Sequence, residues 1–312
     1  MTIYADYVSL PQAAKGHSIA LGNFDGLHAG HLAVIDTARQ AAAGQAPLGV
    51  ATFEPPPRAY FRPQDAPFRI LAPEVRNRKI LDVGKVDTVF ELPFNANMAG
   101  MTDEQFARDV LHEGLGARHV TVGFDFRFGR GRMGDADRLA SLGRALGFGV
   151  SVVEEVQEGG SKASSTAIRH ALRVGEPERA ARMLGHPWSV SAVVEHGEKR
   201  GRTLGFPTAN MHLHHVIHPR HGVYAVRARI AGEDAWRDGI ANFGRTPTTG
   251  LRDPLLETVL FDFDGDLYGK TLEVALIAFL RPEAAFASVE AMIDQMHGDV
   301  TAAKRVLSAS GG

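Results

Sequence analysis

Two histidines set three apart, His28 and His31, close the Gly-rich run Gly22-Asn23-Phe24-Asp25-Gly26-Leu27-His28-Ala29-Gly30-His31. At the head of a helix both imidazoles can face one anion, beside the free N–H groups and positive dipole of the first turn. Held over a phosphate, such a pair stabilises charge that develops at phosphorus during in-line displacement. Gly22, Gly26 and Gly30 let the backbone turn tightly and approach a ligand closely. Further on, Ser164, Ser165 and Thr166 precede Arg169; hydroxyls at a helix start with a guanidinium that binds in bidentate fashion suit a triphosphate. Ser165 or Thr166 alone would serve equally as a plain helix cap.

A second polar group lies far downstream. Thr208 and Asn210 follow the stretch Val194-Glu195-His196-Gly197-Glu198-Lys199-Arg200-Gly201-Arg202-Thr203-Leu204-Gly205-Phe206-Pro207. Two positions apart on an extended chain, they put neutral oxygens on one face, where a phosphate-bound Mg²⁺ could meet them. The glycines before them allow backbone donors near phosphate oxygens. No G-x-x-x-x-G-K-[ST] occurs, so any phosphoryl transfer uses another scaffold.

Two other patterns compete for a chemical reading. Gly129-Arg130-Gly131-Arg132-Met133-Gly134 matches the dinucleotide fingerprint, but it follows a late strand and two arginines interrupt it. His212, His214, His215, His218 and His221 could suit zinc or nickel. That stretch joins two strands without a neighbouring carboxylate or thiolate, and reads better as a solvated loop.

The elements that must position these residues fall into two kinds. In the first half, apolar runs at 17–21, 48–53, 86–92, 119–124 and 149–153 read as strands. They alternate with helical patterns at 31–43, 103–112 and 135–146. That alternation predicts a parallel sheet with crossover helices and ligands beyond the carboxyl ends of its strands. Two helices follow, at 166–174 with Gly175 as a stop signal, and from Pro177 to just before Gly185. After residue 185 the spacing changes to strands at 190–195, 223–230, 235–241, 255–263 and 271–280, then a helix over 286–306. These predict a small antiparallel barrel or sandwich with one terminal helix.

Bulk properties agree with two ordinary domains. The chain has 312 residues, 44% hydrophobic and 22% charged. A net charge of −2 and a pI near 6.7 give no sign of a nucleic-acid or membrane partner. The absence of cysteine excludes disulfides, thiol catalysis and thiolate metal sites. No secretory pattern marks the first residues and no apolar run approaches the ~20 residues that span a bilayer, so a cytoplasmic location is expected. The oligomeric state is not readable.

The segment Gly22–His31 resembles the H-x-G-H signature of nucleotidylyltransferases. Its G-N-F-D-G-x-H-x-G-H form is similar to the FMN adenylyltransferase half of prokaryotic bifunctional riboflavin kinase/FAD synthetases. Thr52-Phe53-Glu54-Pro55-Pro56-Pro57 resembles that family's T-F-x-P-x-P loop, and Gly123-Phe124-Asp125-Phe126-Arg127-Phe128-Gly129 its flavin- and nucleotide-contacting loop. Residues 164–169 resemble its S-S-T-x-I-R motif. In the second half, residues 194–210 resemble the riboflavin kinase signature, a Gly-rich loop running into P-T-A-N. Gly222-Val223-Tyr224-Ala225 and Ala241-Asn242-Phe243-Gly244 continue the match, as do Phe279-Leu280-Arg281-Pro282-Glu283, Gln295 and Asp299. Pro56 and Thr246 depart from residues common in the family.

The resemblance implies a Rossmann-like nucleotidylyltransferase domain over 1–184 and a β-barrel riboflavin kinase domain with a terminal helix over 185–312. It implies riboflavin, FMN and ATP as substrates, with Mg²⁺ held by Thr208 and Asn210. Glu257 inherits the general base; without the resemblance it would be one solvated strand carboxylate. His28 and His31 take the adenylyl-transfer role, with Gly22, Phe24, Asp25, Gly26, Gly30, Ser164, Ser165, Thr166 and Arg169 around ATP. Asp125, Arg127 and Phe128 fall in the flavin and nucleotide loop. His196, Gly197, Gly201, Gly205 and Pro207 fall on the kinase's ATP. The alternatives are an enzyme retaining one activity and a flavin-binding regulator with degenerate catalysis.

Overall fold

The computed structural model describes residues 2–158, 161–162, 164–196, 208–244 and 254–309. It divides into two compact units, Met1–Ala66 with Pro73–Ser164, and Pro67–Ala72 with Ser165–Gly312.

The first unit is a six-stranded sheet in the order β1-β4-β3-β2-β5-β6, every neighbouring pair parallel. The strands are β1 (Thr2–Tyr4), β2 (Ser18–Leu21), β3 (Leu48–Glu54), β4 (Thr88–Pro93), β5 (His119–Gly123) and β6 (Gly149–Val153). Alternation sends Ile19 and Leu21 to one face, with Phe53, Phe90, Val120 and Val122, and Ala20, Val50 and Val89 to the other. The second face is covered by α1 (Ala29–Ala42) through Val34, Ile35 and Ala38, and by Ile80 of α3 (Pro73–Asp82). On the first face, Phe106, Val110 and Leu111 come from the π-helical coil Phe106–Gly114, which continues the short α5 (Asp103–Gln105). Leu139 of α6 (Ala136–Leu146) joins them. Two short helices, α2 (Pro57–Phe61) and α4 (Ala96–Gly100), follow β3 and β4, and a hairpin pairs β7 (Gln157–Glu158) with β8 (Ser161–Lys162).

Strand order reverses at β2, whose neighbours are β3 and β5. In an open parallel sheet, the crevice beyond the carboxyl ends at such a switch point takes the ligand. The loop 22–28 leaves β2 there and the loop 124–135 leaves β5.

The second unit is a six-stranded antiparallel sheet in the order β10-β13-β12-β11-β14-β9. Its strands are β9 (Trp188–Val193), β10 (Ala209–His212), β11 (Gly222–Ile230), β12 (Arg237–Gly244), β13 (Leu255–Leu260) and β14 (Thr271–Arg281). A bridge from Glu195 to Asn210 brings the two edges together, so the sheet curls into a nearly closed barrel. Tyr224, Val226, Phe243, Leu256, Thr258 and Val274 fill its interior. The terminal helix α9 (Val289–Ala309) packs Ala303 and Leu307 on the outer face at Ala225, Ala278 and Ile240.

Helices α7 (Ser165–Val174) and α8 (Pro177–Leu184) pack with this second unit, although the change of sequence pattern falls near residue 185. The reason is amphipathic: α8 buries Pro177, Ala180, Met183 and Leu184, and packs on β9 and β14. The segment Pro67–Ala72 is built into the same unit. Three successive carbonyls accept hydrogen bonds: Phe68 O from Arg169 Nε (2.7 Å), Arg69 O from the Ile217 amide (2.7 Å) and Ile70 O from the Trp188 indole (2.7 Å).

Candidate active sites

In the first unit the chain leaves β2 through a contorted loop. Phe24, Gly26 and Leu27 have φ of 49°, 94° and 45°, the left-handed region that bulky residues avoid. Such strain persists only where surrounding structure enforces it, and it collects at functional sites. The anchors are visible. Phe24 and Leu27 are buried in the core under α1, the Gly22 amide donates to Ala51 O (3.1 Å), and Thr52 Oγ1 donates to Asn23 O (3.1 Å).

His28 is the N-cap residue of α1 and His31 lies in its first turn. Their rings stack with centroids 3.8 Å apart and 22° between planes, and the Phe24 ring lies 5.2 Å from that of His31. Phe24 thus packs against His31 of the imidazole pair. Asp25 and His28 are both buried at 7% exposure, while Gly30 and His31 are half-buried. The helix N-terminus and both imidazoles therefore converge on the switch-point edge of the sheet.

The loop after β5 separates its aromatic residues. Asp125 and Arg127 are exposed, and Arg127 pairs with Asp135 at 3.4 Å. Phe128 instead points into the core, 5.7 Å from half-buried Phe126 and 5.6 Å from Phe106, whereas Phe124 is exposed. The glycines that mimic a dinucleotide fingerprint have structural causes. Gly129 has φ 74° and a Cβ there would meet the Asp103 amide at 2.7 Å; at Gly134 a Cβ would meet the Phe128 ring. The following helix, α6, is capped by the Asp135 side chain on the Arg138 amide (2.9 Å), which supplies the cap from within the chain.

Sequence reasoning missed a buried charge cluster beside this edge. The Arg76 guanidinium, 3% exposed, contacts Glu91 Oε1 at 2.9 Å and Glu54 Oε2 at 3.4 Å, and its Nε donates to Asn77 Oδ1 at 3.1 Å. Glu54 ends β3 and Glu91 lies near the end of β4. No sequence signal marks it, because a buried arginine on a polar helix looks like a solvated one. Ser164 closes the first unit, half-buried; Ser165, Thr166 and Arg169 lie on α7 in the second. The Arg169 guanidinium lies 5.3 Å above the Phe68 ring, beside the bond to Phe68 O.

The second unit's polar group is assembled by strand register. Glu257 of β13 stands opposite Asn210 of β10 on one side and Asn242 of β12 on the other. Directly opposed residues share a face, so the three side chains form one row. Leu256, Thr258 and Leu260 point into the barrel, which places Glu257 on the outer face. One row along, Val259, Ile240, Ala225 and Ala278 are aligned, and α9 packs on this apolar row. A carboxylate with two flanking amides thus borders an apolar surface beneath a helix. Thr208 is half-buried just before β10. Exposed His196 stacks on Tyr268 at 4.1 Å. Gly197, Gly201, Gly205 and Pro207 lie outside the described residues, as does Thr246.

Comparison with known proteins bears on both units. A FAD synthetase model matches residues 10–167 and a riboflavin kinase model matches 184–307. The bifunctional riboflavin kinase/FMN adenylyltransferase of Pseudomonas fluorescens is 39% identical over 95% of this chain and 94% of its own. That of Escherichia coli K12 is 38% identical over 95% of each. The chain belongs to the bifunctional riboflavin kinase/FMN adenylyltransferase family. A crystal structure of a macrolide-efflux protein from Streptococcus pneumoniae superposes with TM-score 0.81 at 30% identity, covering 95% of both chains. Among the described residues, no helix of this family member is long and apolar enough to cross a membrane.

The histidine-rich stretch, expected from sequence to lack a neighbouring carboxylate, meets two. His212 and His214 stack at 4.8 Å, His212 approaches Glu195 at 3.7 Å, His218 meets Leu213 O at 3.2 Å, and His221 approaches Glu283 at 3.5 Å. Among the described residues, no group of three or more His, Asp or Glu side chains is placed to hold a metal ion.

Proposed function

We propose that the barrel phosphorylates riboflavin to FMN and that the parallel-sheet unit adenylylates FMN to FAD, with functional domains over 1–184 and 185–312 and a cytoplasmic location. The row Asn210–Glu257–Asn242 beside the apolar face under α9 is the observation that carries the first step. A flavin needs an apolar slot with few polar contacts for its ring and a polar end for its ribityl chain. Glu257 takes the proton of the terminal ribityl hydroxyl as that oxygen attacks the γ-phosphorus of ATP and ADP leaves. Thr208 and Asn210 offer neutral hard oxygens two apart, which fit Mg²⁺. When bound, the ion neutralises charge on the ATP phosphates. The loop from His196 through Gly197, Gly201, Gly205 and Pro207 holds those phosphates.

For the second step, an oxygen of the FMN phosphate attacks the α-phosphorus of a second ATP and pyrophosphate leaves. The nucleophile is already an anion near neutral pH, so this site needs positioning and charge stabilisation more than a base. His28 and His31, stacked at the start of α1, face the developing charge. Gly22, Phe24, Asp25, Gly26 and Gly30 shape their loop. Within the parallel-sheet unit Ser164 serves the ATP phosphates, and Asp125 and Arg127 serve the flavin and nucleotide, with Phe128 supporting that loop from the core.

The test is to follow FMN, FAD and pyrophosphate in time from riboflavin, ATP and Mg²⁺. FMN rising first, then FAD with stoichiometric pyrophosphate, is the expected course. FMN alone would remove the adenylyl-transfer reading, and no product would remove both.

A further inference from the structure

We infer that Asn242 is a further positioning residue of the kinase step, holding the Glu257 carboxylate on the ribityl hydroxyl. This rests on the reading of Glu257 as the base. Asn242 is paired directly with Glu257 across β12 and β13, and Asn210 flanks Glu257 from β10. The N–H and C=O of a residue in a central antiparallel strand point to the same side. One flanking partner is therefore a hydrogen-bonded pair and the other a closer non-hydrogen-bonded pair. Either way, each flanking Cβ lies about 4.5–5.5 Å from that of Glu257, within reach of an asparagine amide.

The two amides face different tasks. Asn210 is buried at 7% exposure and follows Thr208, so its oxygen belongs with the cation-facing pair. Asn242 is half-buried on the other flank, next to Val223 and one row from Ile240 and Ala225, the surface that α9 covers. The apolar slot meets the carboxylate on that side. An amide there can donate N–H to one carboxylate oxygen and leave the other to take the substrate proton, without adding charge. A carboxylate so tethered loses fewer orientations on reaching the transition state.

Other ionisable groups on this face of β10 to β13 lie farther along the strands. His212 is one row away, and in that same row the Glu283 carboxylate, 3.5 Å from His221, lies over Gly244; Arg227 and Asp238, paired at 3.2 Å, are two rows away in the other direction, with Arg229 beyond. From α9, Asp299 is bound to Arg281 and Lys304 lies over the Phe261 ring.

The experiment compares Asn242→Ala, Asn242→Ser and Asn242→Asp in the full chain. FMN formation is measured from pH 5.5 to 9, with FAD formation from supplied FMN as the control for folding. Asn242→Ala should lower kcat for FMN formation about 10- to 100-fold, the range of a lost orienting contact, with KM for ATP changed less than about 2-fold. Asn242→Ser, which keeps a donor, should recover part of the loss. Asn242→Asp sets a second carboxylate beside the base, so the rising limb of the pH profile should move to higher pH. That shift reports that the two side chains are adjacent; a filler of space alone would leave Asn242→Ser no better than Asn242→Ala, since the two are close in volume. Wild-type kcat in Asn242→Ala, or no recovery in Asn242→Ser, overturns the inference. Glu257→Gln separates the two readings: if it retains FMN formation, the base assignment has failed. If it is inactive while the Asn242 variants behave as wild type, only the positioning role has failed.

Discussion

Asp299→Ala should loosen the terminal helix from the barrel, and the cost can be worked from one ion pair. Asp299, 5% exposed, takes Arg281 Nε at 2.8 Å and Arg281 Nη2 at 2.7 Å, and Gln295 Nε2 adds a bond at 2.9 Å. The pair ties α9 to the last residue of β14, which stands opposite Val223 at the end of the row carrying Glu257. Removing one partner of a buried pair costs about 3–5 kcal/mol, chiefly by stranding the other charge. The Arg281 side chain keeps 22% exposure and a bond to Pro282 O, which softens the stranded charge and brings the cost to or just below the bottom of that range, about 2–3 kcal/mol. At about 2–4 °C per kcal/mol, the second unit should melt roughly 4–12 °C lower. Calorimetry checks the shift, and the KM for riboflavin in FMN formation should rise because α9 borders the flavin slot. FAD formation from FMN should hold below the melting range. Pairing Asp299→Leu with Arg281→Met should restore most of the stability, since no charge is left stranded. An unchanged melting temperature in Asp299→Ala, or strictly additive losses in the pair, would refute the clamp.

Four further outcomes are expected. Glu257→Ala should abolish FMN formation and keep FAD formation from FMN, and His28→Ala should do the reverse; product assays on each variant check this, and loss of both activities in either folded variant would contradict separate sites. Burial lowers the pKa of His17, partly offset by Asp87, and burial also lowers that of His119. Both histidines then bind protons more tightly when unfolded, so their stabilisation is complete above about pH 6.5 and is lost as pH falls through the folded values; thermal melts between pH 8 and 5 should show the decline, and His17→Gln should flatten it. Thr258 is 0% exposed with Ala209 and Ala241 opposite it, and its hydroxyl has no protein partner among the described residues; Thr258→Val should raise stability by about 1 kcal/mol in denaturant melts. Gly131→Ala should cost only the left-handed strain of about 1–2 kcal/mol, whereas Gly129→Ala adds a clash with the Asp103 backbone and should cost more; equal losses in chemical unfolding would refute the packing account of that false fingerprint.

The parallel sheet was legible because its central strands are continuous apolar runs, which burial on both faces demands. What escaped had weak local signals. Strand β1 is a three-residue edge, and α3 buries Arg76 and Asn77 as well as Ile80, so its inward face carries no apolar stripe. Strand β10 is only Ala209–His212, and it escaped for the same reason. Predicted strand 255–263 overran because Asp262 takes φ 54° after Leu260, a turn that apolar spacing does not announce.

The two sites differ in legibility for a physical reason that bears on how each will respond to mutation. His28 and His31 meet because a helix turn brings positions three apart onto one face, so local sequence contains the contact. Asn210, Glu257 and Asn242 meet only through the register of β10, β13 and β12, and each residue alone reads as a solvated strand position. A one-residue slip in any of those pairings would turn its side chain to the other face. The kinase row is therefore exposed to any change that loosens the register of this barrel, whereas the histidine pair depends on one helix turn and the strained loop before it. Substitutions scattered through the barrel interior should accordingly lower FMN formation before they unfold the chain. Substitutions at Phe24 or Thr52, which hold the loop 22–28, should reach FAD formation most directly.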